Sequence, residues 1–142
     1  MATNAIDSTL PGDHSDRMGR ARLSLDGLSV GDALGERFFY KTDVEGLIAR
    51  HALPRAPWRY TDDTAMALSI VAILDRFGRI EPDPLARHFA KRYQADPGRG
   101  YGPTAMDILE EIGRGTPWEV AAGQAFRGAG SMGNGGAMRA GP

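Results

Sequence analysis

Tyr60-Thr61-Asp62-Asp63-Thr64 sets a hydroxyl and two adjacent carboxylates directly ahead of a long apolar run. Hard divalent cations bind oxygen atoms of this kind. A helix start adds free backbone N–H groups and the positive end of the helix dipole. Two roles are open to these residues. Thr61, Asp62 and Asp63 hold a metal ion, or Thr61 is an ordinary N-cap and the two acids only offset the dipole.

The elements that would position them read almost entirely as helix. From Arg22 to Phe38, apolar residues recur at Leu25, Leu28, Ala33, Leu34 and Phe38, close to a helical stripe. Gly27, Gly31 and Gly35 share one face of it, which predicts close approach by another helix or by a ligand. Residues 40–60 read as irregular, with Pro54 and Pro57 confining the backbone. Thr64 to Phe77 is apolar on most sides and is ended by Gly78, so it belongs at the centre of a bundle. Asp62 and Asp63 then lie near the core. A further helix runs from Asp83-Pro84 to Gln94, with Pro84 at its first position. Gly100-Tyr101-Gly102-Pro103 is a turn, followed by a helix from Thr104 to Ile112 closed by Gly113. Thr116-Pro117-Trp118-Glu119 has the form of a capping box opening a helix to Phe126. No useful stretch alternates as a strand does, so the expected fold is all-α.

Bulk properties narrow the function. At 142 residues the chain is one domain or part of one, and 42% hydrophobic residues suffice for a core. A formal net charge of −1 gives no basic surface for nucleic acid or membrane. With no Cys there is no disulfide framework, no thiolate catalysis and no cysteine zinc site, which fits a reducing, cytoplasmic setting. Residues 1–20 are polar and lack a signal-peptide core, so they read as a mobile arm ahead of a domain at 21–142. The longest apolar run, Ala65 to Leu74, is too short to cross a bilayer. His14, His51 and His88 are scattered, without metal-ligand spacing. Trp58 and Trp118 read as packing residues.

Ser131-Met132-Gly133-Asn134-Gly135-Gly136-Ala137-Met138-Arg139 is the second stretch with chemical potential. Glycine lets a backbone approach a ligand closely, and successive N–H groups in such a loop can cradle an anion. Without a P-loop lysine or a preceding strand, it matches neither common phosphate-binding fingerprint. A flexible loop is the other reading of the same residues.

Four blocks in order carry a resemblance: Gly27-Leu28-Ser29-Val30-Gly31-Asp32-Ala33-Leu34-Gly35; Tyr60-Thr61-Asp62-Asp63-Thr64-Ala65-Met66-Ala67-Leu68; Arg99-Gly100-Tyr101-Gly102-Pro103-Thr104; and Gly133-Asn134-Gly135-Gly136-Ala137-Met138-Arg139. From about Arg22 to Pro142 the chain resembles the N-terminal half of the ADP-ribosylglycohydrolases, the family that includes dinitrogenase-reductase-activating glycohydrolase. The resemblance implies a compact, mostly orthogonal all-α bundle with a binuclear magnesium or manganese site. It implies hydrolysis of the bond between ADP-ribose and an acceptor, a protein side chain or a small molecule. Thr61, Asp62 and Asp63 would be metal ligands, and Asp62 and Asp63 would take part in catalysis. Tyr101, Gly102, Ser131, Gly133, Asn134 and Gly135 would bind substrate.

The chain departs from the family pattern at two points. Many members carry a Glu where this sequence has Phe39; Glu36 is the nearby candidate catalytic carboxylate, or else a solvated acid at a helix end. The family's second Asp-rich metal stretch does not occur between Thr64 and Pro142, so the resemblance implies a fragment or a truncated relative. Two further functions therefore compete with a hydrolase: a non-catalytic binder of ADP-ribose, and a structural helical protein in which Thr61-Asp62-Asp63 only caps a helix.

Overall fold

A computed structural model describes residues 10–39 and 43–142. Those residues form helices and no strand, as the periodicity predicts. Helix α1 spans His14–Glu36, α2 Val44–Ala49, α3 Asp62–Phe77, α4 Pro82–Ala95, α5 Pro103–Gly113 and α6 Trp118–Gln124. Two 3₁₀ turns follow, Ala125–Gly128 and Ala137–Arg139. No helix among the described residues is long and apolar enough to cross a membrane.

Helix α3 is the centre. It packs against α1, against α4 and against the Ala137–Arg139 turn. Apolar residues on several sides make this possible. Ala65 and Met66 join Tyr93, Tyr101 and Leu109 in one cluster toward α4 and α5. Val71 joins Met18 and Ala21 in a second, toward α1. Ile73 between them is 1% exposed. Full burial of such a side chain stabilises by about 1.5–3 kcal/mol. The helix ends as expected: Gly78 is left-handed (φ 68°) and its N–H donates to the Leu74 carbonyl at 2.8 Å. A side chain there would be strained and would meet Pro11.

Several boundaries differ from the sequence expectation. Helix α1 starts at His14, inside the stretch expected to be an arm, and Met18 is buried there. Residues 1–9 of that stretch and 40–42 of the irregular one lie outside the described residues. Within 43–60 the short helix α2 was not anticipated; the Asp43 carboxylate caps it at the Gly46 N–H, 3.1 Å away. Helix α4 starts at Pro82 rather than Pro84, because Pro82 already supplies a proline at the first helical position. Gly113 lies inside α5, and Gly115 (φ 103°) takes the left-handed conformation beyond it. The capping box at Thr116 does not form. Pro117 is the N-cap, and the Thr116 hydroxyl donates to Glu111 at 3.0 Å instead. Helix α6 stops at Gln124, short of Phe126, where the backbone turns left-handed at Phe126 and Arg127.

The glycine face of α1 is also corrected. A Cβ placed on Gly27, Gly31 or Gly35 meets nothing within 4 Å. At 3.6 residues per turn Gly27 and Gly31 fall on the side of α1 away from Met18, Ala21 and Leu25, which pack on α3, and Gly35 falls on the flank between. Asp32 lies on the packed side.

Candidate active site

The start of α3 is satisfied almost entirely from outside its own carboxylates. Thr61 N–H donates to Asp32 Oδ2 at 2.8 Å, and the Thr61 hydroxyl donates to Asp32 Oδ1 at 2.6 Å. Asp62 N–H donates to the Arg99 carbonyl at 2.7 Å. Asp63 N–H reaches Thr61 Oγ1 at 3.4 Å, a long contact. Thr64 donates twice to Asp32 Oδ2, from its N–H at 3.2 Å and its hydroxyl at 2.6 Å. The N-terminal donors of α3 are therefore met by Asp32, Arg99 and Thr61. Thr61 is an N-cap, as its type suggests, but Asp62 and Asp63 are not needed for capping.

Their carboxylates are left partly buried and without an ion pair to any described residue. Burial pushes the Asp62 carboxyl above the usual range, and the Asp63 and Asp32 charges push it further. Asp63 is raised by burial and then by the Asp32 charge. Three carboxylates thus crowd one helix start with little positive charge to offset them. A bound cation would relieve this repulsion.

Asp62 also borders a cavity of about 760 Å³ between α3, α4, α5 and α6. This is the size of a small-ligand site. Its walls are largely apolar, with Met66, Phe89, Ile108 and Trp118 among them. Its polar rim comes from the glycine-rich stretch: Ser131, Gly133, Asn134 and Gly135 line it, as does Gly102. The Ser131 hydroxyl shapes that stretch by accepting from Gly133 N–H at 3.0 Å. Arg139 enters the same cavity, over the Phe89 ring at 5.4 Å and with Nη1 3.5 Å from Met66 Sδ. Burial lowers its pKa and the Asp62 charge raises it again. It makes no salt bridge with a described carboxylate, so its charge is available to an anion in the cavity.

The expected site residues therefore separate. Asp62, Gly102, Ser131, Gly133, Asn134 and Gly135 share one cavity. Thr61 and Asp63 adjoin Asp62 in the chain but do not line the cavity. Tyr101 is not on the cavity wall. It packs edge-on against Tyr93, with ring centroids 5.1 Å apart, and its hydroxyl is buried without a partner. Burial pushes that phenol up to about 12. Gly100 (φ 84°) approaches the carboxylate instead: a Cβ there would lie 3.8 Å from Asp62 Oδ1. Glu36 sits at the last position of α1, one turn beyond Asp32 on the same face, and does not line the cavity. Trp118, expected in packing, does line it.

Three contributors carried no sequence signal of their own role. Asp32 and Arg139 fall inside recognised blocks, but nothing in their spacing announces four hydrogen bonds or a place in the cavity. Arg99 is the third. Besides its carbonyl, its guanidinium stacks over Tyr60 at 4.0 Å, donates to the Tyr60 carbonyl at 3.1 Å and pairs with Asp96 at 2.7 Å.

Comparison with known proteins bears directly on this arrangement. The family model for ADP-ribosylglycohydrolase matches residues 13–142. The chain belongs to the ADP-ribosylglycohydrolase family. It is 39% identical over 132 residues to the ADP-ribosylhydrolase ARH3 of Xenopus tropicalis, covering 84% of this chain and 37% of that protein. It is 33% identical over 138 residues to ARH3 of Homo sapiens, covering 86% of this chain and 38% of that protein. A putative ADP-ribosyl glycohydrolase of Acanthamoeba polyphaga mimivirus is 27% identical over 133 residues, or 84% of this chain and 39% of its own. The chain thus spans under two-fifths of the length of these relatives. ADP-ribosylglycohydrolases are hydrolases of the glycosidic bond to ADP-ribose, and the four blocks that carry the resemblance all lie inside the matched region.

The donors at the α3 start fit a hard divalent cation in kind: two carboxylates and a hydroxyl, with no thiol or imidazole. They do not fill a coordination shell. Among the described residues, no three His, Cys, Asp or Glu side chains gather into a metal-binding group. Thr61, Asp62 and Asp63 therefore amount to part of a ligand set.

Proposed function

We propose that the whole protein is a divalent-metal-dependent hydrolase that cleaves the glycosidic bond between ADP-ribose and an acceptor, a protein side chain or a small molecule. One observation carries this reading. Asp62 and Asp63 are raised carboxylates that cap nothing, and Asp62 opens into a cavity rimmed by the glycine-rich stretch. Magnesium or manganese, two ions in the family pattern, would be held in part by Thr61, Asp62 and Asp63. When bound, such ions fix ribose hydroxyls and lower the pKa of a water.

The chain's own residues supply the rest. Ser131, Gly133, Asn134 and Gly135 present a close backbone to the diphosphate, and Arg139 sets a positive charge beside it. The apolar wall limits water around a bound ligand, and Asp62 is the carboxylate that lines the cavity. Bond cleavage develops positive charge at the anomeric carbon, and Asp62 and Asp63 would serve it as the ligands that hold the ions beside the ribose.

The test is ADP-ribose release from an ADP-ribosylated protein by the complete enzyme, with and without a chelator. Chelation, Asp62→Ala or Asp63→Ala should each abolish release and leave helix content intact. Undiminished release by both variants would end the proposal. The alternative is a non-catalytic ADP-ribose binder, favoured by one observation: Phe39, not a carboxylate, follows α1 and is exposed. ADP-ribose binding without release by the complete protein would establish that alternative.

A further inference from the structure

Asp32 makes more contacts at the α3 start than any residue of α3 itself. Both of its oxygens are engaged. Oδ1 accepts from the Thr61 hydroxyl at 2.6 Å; Oδ2 accepts from Thr61 N–H at 2.8 Å, Thr64 N–H at 3.2 Å and the Thr64 hydroxyl at 2.6 Å. Both hydroxyl contacts are short, as expected for an ionised acceptor. Asp32 belongs to α1, so these bonds cross between helices that also meet through Met18, Ala21 and Val71 and through the Arg22–Asp75 ion pair.

This geometry fixes the sense of the Thr61 hydroxyl. A hydroxyl has one proton and two lone pairs. With its proton committed to Asp32, Thr61 Oγ1 has lone pairs only for what lies on its other side. One faces Asp63 N–H at 3.4 Å, a contact long enough to be loosely held. The same four bonds hold residues 61–64 in one register, from which the Asp62 and Asp63 side chains project. A carboxylate does this where an amide cannot. An Asn at 32 has one accepting oxygen, and its NH₂ would oblige the Thr61 hydroxyl either to turn round or to lose its partner.

We propose that Asp32 is a positioning residue for metal binding: it locks the Thr61 hydroxyl as a donor and thereby aims its lone pairs, with the carboxylates of Asp62 and Asp63, at a divalent cation. This rests on the metal reading above. Asp32 Oδ2 is filled by three donors and Oδ1 by the Thr61 hydroxyl, so its carboxylate is engaged chiefly with the α3 start. It acts on the ligand rather than as one, the role of outer-shell partners that tune affinity about 10–100-fold.

The test uses manganese alone, titrated into the complete protein and followed by the electron paramagnetic resonance of the free ion. Four forms are compared: wild type, Asp32→Asn, Thr61→Val and the double variant, each checked for helix content. Asp32→Asn should weaken manganese binding about tenfold or more. In the Thr61→Val background the same substitution should change affinity less than about threefold, because its effect runs through the Thr61 hydroxyl. Equal effects in both backgrounds would mean that Asp32 acts only by its charge, and would overturn the proposal. So would an Asp32→Asn protein that melts lower but binds manganese unchanged.

Amide hydrogen exchange separates this from failure of the metal reading. Asp32→Asn should speed exchange at Thr61 and Thr64, while Asp62→Ala should not. If the complete wild-type protein holds no manganese but that exchange pattern appears, the metal reading fails and Asp32 keeps only a structural role. If exchange at both amides is unchanged, the positioning role fails whatever the metal does.

Discussion

Replacing Thr61 by Val keeps the shape of the side chain and removes one oxygen. That oxygen donates to Asp32 at 2.6 Å and accepts, weakly, from Asp63 N–H at 3.4 Å. The first is a charge-assisted bond, for which about 1.5–3 kcal/mol is the usual range. The second is an N-cap contact, and losing a cap costs about 0.5–2 kcal/mol. Its length places it at the low end. The two share one atom and do not add fully, so Thr61→Val should cost about 2–3 kcal/mol. Thr61→Ser retains the hydroxyl and loses a methyl that is only partly buried, so it should cost less than about 1 kcal/mol. Urea unfolding resolves the difference, because a slope of about 1–3 kcal/mol/M turns it into a midpoint shift of order 1 M. The slopes themselves should match, since the core is untouched. Equal midpoints for Thr61→Val and Thr61→Ser would refute the claim that the hydroxyl is held by Asp32.

Other substitutions test the fold and the electrostatics separately. Ile73→Ala should cost about 2–5 kcal/mol in urea unfolding, because the residue is 1% exposed at the centre of α3. Gly31→Ala should stabilise by about 0.5–1 kcal/mol, since α1 is helical there and the added methyl meets nothing within 4 Å. Asp62→Asn should stabilise the metal-free chain at neutral pH. Folding raises the Asp62 pKa by burial and by the Asp63 charge, so ionisation works against the folded state. Wild-type stability is then lost as pH rises through the raised folded value. The advantage of Asn should vanish below the ordinary carboxylate value of 3.8, where both proteins are uncharged at 62. A thermal melt series across acid to neutral pH shows whether the two curves converge.

What was legible in the sequence was local or repetitive. Helix α3 announced itself by apolar residues on most sides and by Gly78 after its last turn, and both features hold. The oxygen donors of Thr61-Asp62-Asp63 were visible as residue types, and the glycine-rich stretch as a loop facing a cavity. What was not legible depends on distance along the chain. Asp32 meets Thr61 across 29 residues, and no local pattern encodes that bond. The start of α1 was missed because residues 14–20 are mostly polar; Met18 and Ala21 hold that turn to Val71 through tertiary contact. The capping box at Thr116 failed because Glu111, on the preceding helix, draws off its hydroxyl. The glycines of α1 share a face, but periodicity alone does not say which face meets α3.

The central claim is that Asp62 and Asp63 are held out as cation ligands, not spent on capping. Calorimetric titration of manganese into the complete protein tests it most directly, with Asp62→Ala and Asp63→Ala alongside and circular dichroism on all three. The expected result is saturable binding by the wild-type protein, weakened at least about tenfold in each variant with helix content retained. The contradicting result is helix loss in the variants with no manganese binding by the wild type, which would make both carboxylates parts of the helix cap.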